Sequence, residues 1–219
     1  MAKVLSISDM HGSNNWEKAV KEFEYEYVVF LGDVCDYWEN HWPQQGENIQ
    51  NIFKFIREDP EHRKFCIGNH DFAYLTGTRD GMYVSGHQHE HIAELRALFT
   101  ANLDIIDLAA DIDGVIFSHA GFSDYWTRLS LFKQLHYEYD EWPKDDGSGG
   151  KVWDESEFSI KLLNEYWHNR THIPGDPEFR YGFDEILDWY GTFSGTGDEV
   201  SQGTLRIRPE ACPKGIRQA

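Results

Sequence analysis

The stretch KVLSISDMHG, Lys3–Gly12, runs from an aliphatic segment directly into an aspartate and a histidine. A segment this short and this apolar, cut off by polar residues, reads as a buried strand and not as a helix. The same grammar recurs downstream. YVVFL (Tyr27–Leu31) runs into Gly32-Asp33-Val34-Cys35-Asp36, KFCI (Lys64–Ile67) into Gly68-Asn69-His70-Asp71, and GVIFS (Gly114–Ser118) into His119-Ala120-Gly121. Between them lie segments with helical spacing. Asn14–Glu26 opens with asparagines suited to capping, Glu47–Asp59 has apolar residues at Ile49, Ile52, Phe53 and Ile56, and His91–Asn102 repeats that pattern. Strand followed by helix, repeated, predicts an α/β sheet with helices on its faces.

In an open sheet of this kind the carboxyl ends of the strands share one rim, where ligands bind. Segments tens of residues apart then deliver Asp9, His11, Asp33, Asn69 and His119 to one place. Oxygen and imidazole donors without a thiolate suit Mn, Fe, Zn or Mg rather than a structural zinc knot. Each motif also has a plainer reading. Asp33 and Asp36 are good turn residues, as are Asp9 and His11 in DMHGSNN. Gly32 and Gly68 permit tight strand-end turns, and a lone His119 reads as a satisfied core histidine. The plainer readings do not account for the order, each motif following its own apolar run.

The chain has 219 residues, 20 basic against 38 acidic, for a net charge of −18 with histidine neutral. That balance opposes a nucleic-acid backbone or an anionic membrane as partner. No apolar run approaches the ~20 residues needed to cross a bilayer, and MAKVLSISDMHG does not read as a signal peptide. An apolar fraction of 40% with 15% aromatics argues for a packed domain, here expected as one domain over 1–219. Cys35, Cys66 and Cys212 include no CxxC pair, so a reduced, cytoplasmic protein is expected. From Phe122 to Tyr190 the chain turns rich in Trp, Tyr and acidic residues. Helices are predicted at Ser123–Tyr139, Glu155–Asn169 and Asp184–Trp189, and a flexible loop at Asp145–Gly150. Trp126, Trp142, Trp153, Trp167 and Trp189 are read as core in preference to a stacking surface.

Taken in order, DxH at Asp9–His11, GDxxD at Gly32–Asp36, GNHD at Gly68–Asp71 and the strand-end His119 of SHAG resemble the calcineurin-like metallophosphoesterase superfamily. The GDxxD spacing and SHAG lean towards its serine/threonine phosphoprotein phosphatase-like branch, with bacterial and phage members. The resemblance covers Lys3 to about Ser123 firmly and the rest loosely. It implies a four-layer α/β/β/α sandwich with two divalent metal ions at the strand C-terminal ends, manganese first, with Fe, Zn or Mg as alternatives. It implies Asp9 and His11 as ligands of one metal, Asp33 as a bridge, and Asn69 and His119 as ligands of the other. His70 would protonate the leaving alkoxide, Asp36 would fix its tautomer, and Asp71 would have a supporting role. The implied activity is hydrolysis of a phosphomonoester, from a phosphoprotein or a small phosphorylated substrate, by a hydroxide held between two metals. A nucleotide or dinucleotide polyphosphate hydrolase, a phosphodiesterase, and a non-catalytic scaffold on the same fold are the alternatives.

The sequence departs from the family pattern in two places. Where these phosphatases carry a phosphate-gripping arginine after GDxxD, this chain has Tyr37, followed by Trp38. Substrate contacts are therefore expected from Asn69, Tyr37, Arg79, Arg128 and Arg180. The family also uses a late histidine on a strand, commonly in a Gly-His motif. Gly86–His91, GHQHEH, precedes the His119 strand and reads as a helix N-terminus or a loop near the substrate mouth. After His119 come only His136, His168 and His172, none behind an apolar run. The expectation is that residues 1–219 lack the family's C-terminal strand with its last ligand, leaving a weak second metal site and poor turnover.

Overall fold

The computed structural model describes residues 2–36, 42–76, 86–121 and 160–171. Parallel strands β1 (Val4–Ile7), β2 (Tyr27–Phe30), β3 (Arg63–Cys66) and β4 (Ile106–Asp107) form one sheet in that order. A hairpin of β5 (Ala109–Ile112) and β6 (Val115–Ser118) forms the second. The helices are α1 (Trp16–Glu22), α2 (Gln44–Glu58), α3 (Asn69–Thr76), α4 (Ile92–Thr100) and α5 (Ile160–Thr171), with 3₁₀ turns at His89–His91 and Leu103–Ile105.

Side-chain alternation decides the layering. Along β2 and the residue after it, Val28 and Phe30 enter a core shared with Ile49, Ile52, Phe53 and Ile56 of α2 and with Leu95 and Phe99 of α4. Val29 and Leu31 point the other way, into a smaller core with Cys66 and with Ala110, Ile112 and Phe117 of the hairpin. A strand buried on both faces reads as an unbroken apolar run, which is how YVVFL reads. The described residues thus stack helices, parallel sheet and second sheet, a mixed α/β architecture. Parallel register aligns Ile7 with Phe30 and Phe30 with Phe65, so the loops after β1, β2 and β3 leave the sheet side by side.

Several elements differ from the sequence reading. Helix α1 is shorter than Asn14–Glu26, because Phe23 is already extended and the chain then leads into β2. Asn15 at its N-cap is helical and makes no side-chain cap, so the capping expected of the asparagines is absent. Strands β4 and β5 were not anticipated, AADI being too poor in large apolar residues. The signal that could have found β5 is Asp113-Gly114: both take positive φ, 53° and 73°, as a two-residue hairpin turn requires. Helix α3 was also missed, since GNHD reads as a loop. Trp167 is core as read, 2% exposed, with its Nε1 donating to the Ile106 carbonyl at 2.6 Å. The helices expected at Ser123–Tyr139 and Asp184–Trp189, the Asp145–Gly150 loop and Trp126, Trp142, Trp153 and Trp189 lie outside the described residues.

Cys35 and Cys66 are free and have no exposed surface, and burial is the first cause raising both thiols well above their ordinary range. In a Cys212→Ser variant, a disulfide reagent such as DTNB should therefore label no thiol in the native protein and two after denaturation. Rapid native labelling of either would contradict this packing.

Candidate metal centre

The rim is assembled by the backbone before any side chain acts. Beyond the end of β1, the ladder to the β2 strand continues into the loops. Leu31 N–H donates to Ile7 O at 2.8 Å, His11 N–H to Asp33 O at 2.9 Å and Gly12 N–H to Val34 O at 2.8 Å. The loops after β2 and β3 touch at two glycines. A Cβ on Gly32, which has φ +79°, would overlap the Gly68 backbone, and a Cβ on Gly68 would overlap Asp33. The plain reading of these glycines as turn formers was incomplete: they are also where two loops meet.

Asp71 ties the two loops together. It is fully buried, and its carboxylate accepts from the amides of Asp33 (2.8 Å), Val34 (3.0 Å), Cys35 (3.3 Å) and Gly68 (3.2 Å). Burial, then the charge of Asp33, pushes its carboxyl up to about 6 against the pull of these donors. Asp33, 3% exposed, is gripped in turn: its Oδ1 accepts the His70 amide at 2.9 Å, at the N-terminus of α3. Asp9, His11, Asp33 and Asp36 all take positive φ, between 45° and 66°. Left-handed backbone is uncommon outside glycine and concentrates at functional sites. Asp113 of the hairpin turn is the other such residue among those described.

Three imidazoles are oriented alike. His11 Nδ1 lies 2.8 Å from the Cys35 carbonyl and His119 Nδ1 2.7 Å from the Leu31 carbonyl. His70 Nδ1 lies 2.8 Å from Asp36 Oδ2. These oxygens can only accept, so each Nδ1 carries the proton and each Nε2 is left with a lone pair or a second proton. His119 Nε2 is 3.5 Å from Asp33 Oδ2 and 3.0 Å from Asn69 Oδ1, and His70 Nε2 is 3.9 Å from Asp33 Oδ2. Electron-rich atoms thus face one another, an arrangement that a cation or a proton relieves. Among the described residues two groups can offer donor atoms within 4.8 Å of one another: His11, Asp33 and His70, and Asp9, Asp33 and His119. Asp33 belongs to both. The resemblance pairs Asp9 with His11, whereas these distances set Asp9 with His119. The donor set, imidazole nitrogen and carboxylate oxygen with ring tautomers fixed from behind, fits divalent metal ions.

His70 differs from the other two rings. Burial opposes its charged form, but the Asp36 hydrogen bond and the charges of Asp33, Asp36 and Asp71 outweigh it and raise its pKa above the ordinary value. Tyr74, which the sequence reading did not single out, donates from its hydroxyl to Asp36 Oδ1.

Tyr37, Arg79, Arg128, Arg180, His136 and His172 lie outside the described residues. His168 bonds Asp107 at 2.8 Å. His89–His91 forms the 3₁₀ turn leading into α4, as the helix-N-terminus reading expects. Arg57 pairs with Asp104 at 2.6 Å, Arg63 donates to Phe55 O at 2.6 Å, and Arg96 donates to the Tyr74 and Leu75 carbonyls.

The sequence profile of a family described as calcineurin-like phosphoesterase matches residues 2–192. No curated protein sequence matches the chain. Among solved structures, a protein serine/threonine phosphatase from Saccharomyces cerevisiae, with similarity to human phosphatase PP5, is 18% identical over 55% of this chain and 38% of its own, with a TM-score of 0.41. A cold-active protein-tyrosine phosphatase of a psychrophilic Shewanella species is 22% identical over 74% of this chain and 62% of its own, with a TM-score of 0.45. A metallophosphoesterase from Sphaerobacter thermophilus is 21% identical over 56% and 47%, with a TM-score of 0.31. The chain thus spans less than two thirds of each of these structures.

Asp71→Asn preserves shape but turns an NH₂ group towards backbone amides that need an acceptor. The expected loss is about 1–3 kcal/mol for each amide left unpaired, read from the urea unfolding midpoint. A change below about 0.5 kcal/mol, the scale of neutral surface substitutions, would contradict the bridging role.

Proposed function

Since the chain belongs to the calcineurin-like phosphoesterase family, we propose that it hydrolyses phosphomonoesters, using two divalent metal ions held around Asp33. The observation that carries this reading is Asp33's membership of both donor groups, with His119 Nε2 and Asn69 Oδ1 beside it. Asp33 would bridge, Asn69 and His119 would serve one ion, and His11 the other. Asp9 would complete the first coordination on the side its distances favour. When bound, such ions supply Lewis acidity: they make water nucleophilic at neutral pH and draw charge from the phosphoryl oxygens. Manganese is the first choice of metal.

The chain's own residues do the rest. His70, held through Nδ1 by Asp36, turns Nε2 towards Asp33, the position from which it would deliver a proton. That proton would pass to the leaving alkoxide as the P–O bond breaks, so the ring would act as a general acid. The Asn69 amide, beside the same point, offers an N–H to a phosphoryl oxygen. Asp71 and the touching glycines keep these groups from drifting apart. Phosphate-binding arginines would come from the Arg79, Arg128 or Arg180 segments. Free, buried Cys35 and Cys66 are in keeping with a reducing, cytoplasmic setting, which we include in the proposal.

The test is a panel with and without Mn²⁺: para-nitrophenyl phosphate, its bis-ester, phosphopeptides and dinucleoside polyphosphates. Preferred cleavage of monoesters, abolished by chelation and by Asp33→Ala, is expected, and His70→Ala should cost about 10²–10⁴-fold in kcat. Preference for the bis-ester or for the polyphosphates would overturn the monoester assignment. Metal-loaded protein inert to the whole panel would favour the scaffold.

A further inference from the structure

We propose that Tyr74 is a positioning residue for chemistry at this rim: its hydroxyl fixes one oxygen of Asp36, so that the other holds His70 with Nε2 turned towards Asp33. The inference rests on the phosphoesterase reading above and adds a member to it that no motif marks. The chain of bonds is directional. The Gln88 amide donates to the Tyr74 hydroxyl oxygen at 2.8 Å. An amide N–H cannot accept, so the phenolic proton is left for Asp36 Oδ1, to which it is donated. Asp36 Oδ2 then receives His70 Nδ1–H at 2.8 Å, and His70 Nε2 stands 3.9 Å from Asp33 Oδ2.

The links behind His70 are enclosed, while the His70 side chain itself is 14% exposed. Asp36 is 1% exposed, and the Tyr74 side chain has no exposed surface. Burial and Asp36 together drive the phenol far above its ordinary pKa, so it donates at any working pH. His87 stacks on the Tyr74 ring, centroids 4.3 Å apart and planes 16° from parallel. That contact gives the GHQHEH segment a function apart from metal binding. Its Gln88 supplies the amide that orients the phenol, and its His87 covers the ring. Deleting the hydroxyl takes one hydrogen bond from the buried Asp36 carboxylate and loosens its hold on the His70 ring.

Tyr74→Phe keeps the ring and deletes only the hydroxyl. With Mn²⁺-loaded protein, kcat and KM are measured across aryl phosphates of graded leaving-group pKa and for an alkyl phosphate. The expected result is an unchanged KM and a kcat loss of about 10–100-fold for the alkyl ester, which needs the proton, shrinking towards para-nitrophenyl phosphate. An equal loss across the series, or none, overturns the inference. Independently of activity, low-field proton NMR of the metal-free protein should show an imidazole Nδ1–H resonance, identified by its disappearance in His70→Gln. Tyr74→Phe should shift it or broaden it through exchange with water, and 3-fluorotyrosine at position 74, which retains the hydroxyl and the fold, should shift it too. An unmoved resonance, or none in the parent protein, overturns the inference. If the parent protein cleaves no phosphate ester, the preceding reading fails while the NMR comparison still decides the hydrogen-bond chain.

Discussion

Four backbone amides from two different loops converge on the carboxylate of Asp71. A charged group taken out of water is costly unless its acceptor sites are filled. Here they are filled by groups that would themselves be buried and unpaired without it. The carboxylate and the loops therefore require each other. Gly32 and Gly68 permit the approach, since a methyl group on either would strike the facing loop. Asp33 and Asn69, from loops whose strands are some thirty-five residues apart in sequence, are brought to one point by this clasp.

Around that point the described residues gather several electron-rich atoms facing one another. Asp33 Oδ2 and Asn69 Oδ1 both lie within 3.5 Å of His119 Nε2, while the backbone carbonyls behind His11 and His119 accept from Nδ1 and leave each Nε2 facing the rim. Positive φ at Asp9, His11, Asp33 and Asp36 adds local backbone strain. Repulsion and strain at one place, with tight packing below it, are in keeping with the proposed metal centre. In a chain carrying −18, long-range potential reinforces that preference for cations.

The part of the fold legible in the sequence is the part set by local pattern. Two-sided burial of β2 demands a continuous apolar run, and YVVFL supplies one; helical spacing at Ile49, Ile52, Phe53 and Ile56 matches the buried face of α2. The strand-end positions of Asp9, Asp33, Asn69 and His119 were equally legible, because each follows such a run. What escaped is what depends on distance. Strand β5 has little apolar character of its own and exists because its hairpin closes at Asp113-Gly114 and its inner residues meet β2. The weight carried by Asp71 could not be seen in GNHD, since its partners Asp33, Val34 and Cys35 come from another loop. Tyr74 gave no signal, because a tyrosine on a short helix is ordinary until Asp36 and Gln88 are found at its hydroxyl. The proximity of Asp9 to Asp33 and His119 likewise emerges only in the folded chain.

The central claim is that the folded chain binds divalent metal at Asp33. Anomalous diffraction from crystals of the protein grown with Mn²⁺ tests it most directly, because the scattering locates the ions without reference to activity. The account predicts peaks on both sides of the Asp33 carboxylate, within bonding distance of His119 and Asn69 on one side and of His11 on the other. Manganese found only away from Asp33, or no ordered manganese at saturating concentration, would contradict it.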